Sequence, residues 1–192
     1  MKQFKSFFFK TLLASLVFTQ FTTACVMVKK EPEVEKKEFV NLESFHIVGY
    51  SLRTSYEDEK HANDIEKLWN HLEENFDAQL FHSRANDKIY VVTYNFTEIN
   101  GTESFDVLLG YKVDNPSSSL KSKFISVKIP SSRYYKQLVK GTSEGSVVKA
   151  WEQIFKTDIN RSYKYDFEAY SFNKDFEMEN VEIFVSVFVK DQ

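Results

Sequence analysis

Cysteine is almost absent from this 192-residue chain: Cys25 stands alone, so no internal disulfide can staple the fold and no cysteine-based metal site can form. Glycine and proline are scarce too, with five and three residues, and no Gly-rich phosphate loop is present. The four histidines, His46, His61, His71 and His82, show no H-E-x-x-H spacing and join no second cluster of ligating residues, so no metal and no cofactor is expected. Excess positive charge is missing as well. All five basic residues of the first thirty are lysines, with no acidic residue among them, which leaves 20 basic against 28 acidic residues in the remainder. A body of net charge −8 repels phosphate backbones, which argues against nucleic acid as a partner.

Aromatic residues are abundant, at 16% of the chain and mostly Phe and Tyr. A body of about 150 residues buries roughly two thirds of its unfolded surface, enough for a real core. "MKQFKSFFFKTLLASLVFTQFTTAC" opens with lysines and runs through an apolar stretch from Thr11 to Phe21. That stretch is too short to span a bilayer and suits the core of a secretory signal. Residues 1–24 therefore read as a signal peptide. Ala24 before the lone cysteine resembles a bacterial lipobox, with Thr22 standing where that motif usually has Leu; Cys25 is the expected lipidation site, and an ordinary cut after Ala24 is the alternative. Residues 25–44, charged and proline-containing, read as a flexible tether. The domain is expected at residues 45–192.

Within that span the pattern repeats. "FHIVGYSL" alternates like a strand, Ile65, Leu68, Trp69, Leu72 and Phe76 fall on one helical face, and "KIYVVTYNF" and "FDVLLGYKV" alternate again around an Asn100-Gly101 turn. Asn63 or Asp64 is the expected cap of that helix. The second half gives "KFISVKIPSSRYYKQLV" bent at Pro130, a helix bearing Val147, Trp151, Ile154 and Phe155, then "YKYDFEAYSF" and "VEIFVSVFV". These are two β-α-β-β units of an α+β fold, forming an antiparallel sheet with helices on one side and a central ligand cleft.

Aligning Tyr94 with Tyr170 sets Val92 opposite Glu168, so a charge breaks the internal symmetry. Glu168 has two readings: one member of a solvent-facing polar stripe with Lys164 and Asp166, or the anionic anchor of an aromatic site, where rings contribute cation–π attraction to an organic cation. "GTSEG", Gly141 to Gly145, matches the G-x-S-x-G nucleophile elbow, but every histidine precedes Ser143, the reverse of that fold's order. A capping role for Thr142 or Ser143 at the Trp151 helix accounts for the same residues.

"IYVVTYNF", "VKIPSSRYYKQLVKG", "VVKAWEQIF" and especially "RSYKYDFEAY" resemble the GyrI-like small-molecule-binding superfamily, the AraC-type effector-binding domains, and within it the integron-associated effector-binding branch. The resemblance covers about residues 45–189, and its most specific element is the D-F-E-x-Y run preceded by Arg161. It implies a cleft for amphipathic, often cationic, organic molecules, with Glu168 as the acidic residue and Tyr170 beside it. Tyr90, Tyr94 and Trp151 are the aromatic lining chosen from position and strand parity, with Tyr50 and Phe184 as further candidates. Many relatives carry a DNA-binding domain; the expectation here is an exported, stand-alone, non-catalytic binding protein in the cell envelope, in the periplasm or on the outer membrane, touching the membrane through a lipid anchor only. The alternatives are a hydrolase of reactive small molecules with Glu168 as general base, and an envelope protein-interaction module.

Overall fold

Period-two alternation becomes eight strands in one antiparallel sheet. The computed structural model describes residues 34–75, 77–99, 102–116, 123–140 and 145–188, all within one compact unit, Pro32–Gln192. The strands are β1 (Val34–Leu42), β2 (Phe45–Ser55), β3 (Ile89–Ile99), β4 (Thr102–Val113), β5 (Ile125–Ile129), β6 (Ser132–Lys140), β7 (Tyr165–Phe172) and β8 (Met178–Ser186). The helices are α1 (Lys60–Glu74), α2 (Ala78–His82) and α3 (Ser146–Phe155). Spatial order is β1-β6-β8-β7-β3-β4-β2-β5, with every neighbouring pair antiparallel.

That order is a duplication. The units β2-α1-β3-β4 and β6-α3-β7-β8 meet where β3 pairs with β7, and each receives an outer strand from the segment that precedes the other: β1 pairs with β6, and β5 with β2. Two residues join β1 to β2 and two join β5 to β6, although each pair sits at opposite ends of the sheet. Such short links can be made only if the sheet curls round on itself. Its inner face is filled by Ile47, Tyr90, Val92, Tyr94, Leu108, Ile129, Tyr134, Phe167 and Phe184. The other face carries the helices: α1 lays Leu68 and Leu72 on Val48, Val91, Val107 and Leu109, with Leu80 of α2 in the same cluster, and α3 lays Ala150 and Ile154 on Tyr135, Val139, Val181 and Ile183.

Several expectations change on this frame. Residues 34–42, read as part of a tether, form β1; Val40 and Leu42 pack on the inner core and Phe39 meets Tyr135 edge-on at 5.7 Å, so charge density concealed an alternating strand. Asp64 lies inside α1 and does not cap it. Its buried carboxylate accepts from Thr54 on β2 at 2.8 Å and from Lys60 and Lys67, tying helix to sheet, and those two ammonium groups hold it well below the usual carboxylate range. α3 starts with Gly145 in its N-cap position at φ 82°, without a side-chain cap; Thr142, Ser143, Asn100 and Gly101 lie outside the described residues.

The repeat itself is offset by one residue. Val92, aligned with Glu168 in the repeat, turns into the inner core, whereas Glu168 lies on the other face beside its cross-strand partner Val91. Between Tyr94 and Thr97 a bulge sets two residues, Asn95 and Phe96, against Phe105, and Asn95 takes the left-handed conformation at φ 52° that Asn tolerates. Because strand side chains alternate, a one-residue slip moves every residue to the other face. "TYNF" and "AYSF" are thus alike in letters and opposite in facing.

Candidate ligand-binding site

β7 presents Asp166, Glu168 and Tyr170 to the helix-bearing face, next to Thr93, Val91 and Ile89 of β3. Glu168 sits in the central row of that face. Its strand neighbours are Val91 on one side and Ile183 on the other, both apolar. Trp151 reaches down from α3, and its indole Nε1–H donates to Glu168 Oε1 at 2.5 Å; the Tyr170 hydroxyl donates to Oε2 at 2.5 Å. Trp69 of α1 closes the other flank, meeting the Tyr170 ring edge-on at 5.1 Å. One carboxylate and three aromatic side chains, drawn from α1, α3 and β7, therefore form a single cluster.

Glu168, Tyr170, Trp151 and Trp69 are each half-buried, so the cluster lies at a surface that solvent reaches. The carboxyl group is nonetheless crowded by protein atoms. Burial pushes its pKa up, against the two hydrogen bonds that favour the charged form. The Tyr170 phenol is pushed far up by burial and by the Glu168 charge, so it remains a donor. Among the described residues no cation pairs with Glu168. A carboxylate in apolar surroundings, held only by neutral donors, has unmet demand for positive charge.

Beside this cluster runs a paired charge of different character. Asp166 is fully buried and accepts from Arg161 Nε at 2.7 Å, from the Ser186 backbone N–H at 2.7 Å and from the Ser186 hydroxyl at 2.9 Å. Burial works against the Arg161 charge, but the Asp166 carboxylate overrides it and holds the guanidinium protonated. The guanidinium is ringed by Tyr163 at 4.3 Å, Phe96 and Phe155 at 5.4 Å and Trp151 at 5.9 Å. Trp151 thus touches a filled cation cage on one side and, on the other, an anion that no cation among the described residues pairs with. The D-F-E-x-Y run and its preceding arginine encode both.

Of the candidates read from sequence, Glu168, Tyr170 and Trp151 come together. Tyr90 and Tyr94 do not: they point into the inner core, where Tyr90 accepts from Asn86 Nδ2 at 2.9 Å and Tyr94 shares a 3.2 Å hydrogen bond with Ser51, on the face opposite Glu168. The one-residue offset in the repeat is the cause. Phe184 also faces inward, stacked on Phe167 at 4.5 Å. Tyr50 does lie on the helix-bearing face, with its hydroxyl donating to the Asn75 carbonyl at 3.2 Å. Cys25 and Ser143 lie outside the described residues. Trp69 was legible as a member of the apolar face of its helix, a signal that placed it in the core and not at the site. Among the described residues no group of three His, Cys, Asp or Glu could hold a metal ion.

The fold has solved counterparts. An integron cassette protein from the mobile metagenome of Vibrio cholerae superposes with a TM-score of 0.65 at 23% identity, covering 83% of this chain and all of that one. The protein SAV2435, bound to tetraphenylphosphonium, gives 0.64 at 18% identity over 80% of this chain and 94% of its own. A transcription-regulation protein of Staphylococcus aureus gives 0.59 at 19% identity, over 80% and 99%. At such identities these likenesses speak for the fold alone. No curated protein matches the chain by sequence. The sequence model of one family matches residues 38–187, nearly the whole described fold, and the chain belongs to that family, the integron-associated effector binding proteins.

Proposed function

We propose that this protein is an exported receptor for amphipathic organic cations, without catalytic turnover, anchored in the cell envelope through lipid on Cys25. Membership of an effector-binding family makes small-molecule binding the general role. The observation that carries the finer reading is Glu168: a carboxylate with both oxygens on the aromatic donors Trp151 and Tyr170, no cation in contact among the described residues, and Trp69 packed on the Tyr170 ring. A lipophilic cation supplies the missing charge and exchanges hydration for ring faces, each worth about 0.5 to 2 kcal/mol. That a protein of this fold binds tetraphenylphosphonium supports the choice of ligand.

Titration of the full mature chain with tetraphenylphosphonium, followed by calorimetry, tests it. Saturable binding is expected, weakened at least tenfold in Glu168→Gln while the melting temperature holds. Equal affinity of the two proteins would refute the reading. The raised pKa of Glu168 would equally suit a general base, so turnover of an electrophilic ester that disappears in Glu168→Gln would favour the hydrolase alternative. Intact mass of protein from its host's envelope fraction reports the anchor: an acyl mass on Cys25 is expected, and an unmodified N-terminus would remove it from the proposal.

A further inference from the structure

Gln137 is 0% exposed and its side-chain Nε2 has no hydrogen-bond partner. Its Oε1 accepts from the Tyr135 hydroxyl at 3.2 Å, which accounts for one end of the amide and leaves two N–H donors unmet at the other. Buried donors are nearly always paired, so an orphan in a folded core asks for a cause. Its place supplies one. Gln137 pairs with Ile183 across β6 and β8, and Ile183 pairs with Glu168 across β8 and β7. The amide and the carboxylate are therefore in one row of the helix-bearing face, two strand spacings apart, with an isoleucine between them.

α3 roofs both. Tyr135 and Val139, which flank Gln137 on the same face of β6, pack with Ala150 and Ile154, while Trp151 of the same helix caps Glu168. The seat of this helix is imperfect. It has ten residues, no side-chain cap, and a first residue, Ser146, whose buried hydroxyl is also without a partner. A helix of that length owes its stability to packing rather than to itself. A guest that lifts α3 takes the indole off Glu168 and uncovers the amide in one movement.

Resting on the reading of Glu168 as cation anchor, we propose that Gln137 is a second, polar anchor of the same site, and that the favoured ligand is an organic cation bearing a hydrogen-bond acceptor roughly 10 Å from its charge, the span of two strand spacings. The acceptor satisfies Nε2, and the apolar link between the two groups lies over Ile183.

Two ligands separate the terms: an alkyltriphenylphosphonium whose chain carries a ketone about 10 Å from phosphorus, and its analogue with the ketone replaced by methylene. The wild-type chain is expected to prefer the ketone on the order of tenfold, since a buried donor gains its partner. In Gln137→Met, and in Gln137→Leu as a second apolar variant, the preference vanishes, the hydrocarbon analogue binds at least as well as to wild type, and the melting temperature does not fall. Equal binding of both analogues to wild type, through Glu168, overturns the role of Gln137 and leaves the cation site standing. Retention of the preference in a folded Gln137 variant does the same. If neither analogue binds, or Glu168→Gln leaves both affinities unchanged, the cation site falls and Gln137 with it.

Discussion

Glu168 is poised between two charge states, and its neighbours decide which one a ligand meets. The Trp151 N–H can only donate, so it favours the carboxylate, while burial favours the acid and wins in direction. Tetraphenylphosphonium has no titratable proton, so any pH dependence of its binding belongs to the protein. Its affinity is expected to be flat at high pH and to fall about tenfold per unit below the Glu168 pKa, at a midpoint above the value of about 4.3 of an exposed glutamate; a flat profile from pH 4 to 8 would contradict this. Trp151→Phe keeps a ring but removes the donor, which moves the midpoint upward. The same shift acts on stability with the opposite consequence from a salt-bridged acid. Between the unfolded and folded pKa values the native state binds more protons, so this group's contribution falls as pH rises through that window. Glu168→Gln removes the penalty, and the variant is expected to melt no lower than wild type at pH 7 to 8, measured by thermal denaturation. Asp166 differs in its partners, although burial pushes its pKa up as well: it is already paired with Arg161 and hydrogen-bonded to Ser186, and breaking such a buried pair with Asp166→Ala is expected to cost about 3 to 5 kcal/mol in urea unfolding.

The strands were readable because their letters alternate; their facing was not. Alternation in "IYVVTYNF" and "YKYDFEAYSF" gave β3 and β7, and helical spacing around Trp69 and Trp151 gave α1 and α3. What alternation leaves open is which parity turns inward when both faces are apolar, as they are here, with Tyr90 and Val92 in one core and Val91 in another. A single bulge at Asn95 was enough to misalign the repeat and carry Tyr90 and Tyr94 to the wrong side. α2 was not legible, since five residues offer no periodicity; Asp77 caps it by accepting from the Leu80 N–H at 3.1 Å. The glycines at the β2–β4 pairing show a constraint that letters hint at only weakly. Gly49 faces Gly110, and a Cβ on Gly110 would lie 2.0 Å from the Val48 carbonyl oxygen, with the mirror contact at Gly49 to Leu109. Backbone, unlike a side-chain tip, cannot swing away. Gly110→Ala is therefore expected to lower unfolding free energy by about 3 kcal/mol or more, the upper range for forced overpacking, whereas Gly145→Ala, in open space but at positive φ, should cost about 1 kcal/mol.

At the scale of the whole molecule, the curl of the sheet depends on strands lent from one half to the other. A boundary set at Phe45, where regular patterning begins in the sequence, would keep both β-α-β-β units and discard β1. The structure gives β1 more to do than its charged letters suggest. It satisfies the outer edge of β6 along the register from Val34↔Val139 to Leu42↔Ser132, and it contributes Val40 and Leu42 to the inner core. Without it, β6 becomes an unprotected edge, the kind of surface that recruits other chains, and the inner core around Tyr134, Phe167 and Phe184 loses part of its wall. β5 does the same service at the other end for β2, but it is half as long, so the two loans are unequal. A chain beginning at Phe45 is expected to aggregate or melt without a cooperative transition, and one beginning at Glu33 to melt cooperatively; circular dichroism and size-exclusion chromatography of the two distinguish these outcomes. If the shorter chain were monomeric and as stable as the longer, β1 would be an accessory to the fold. If it fails, as expected, the site is affected too, because β6 carries Gln137 and underlies α3, so a missing strand at the edge reaches Trp151 and Glu168 through the helix that covers both.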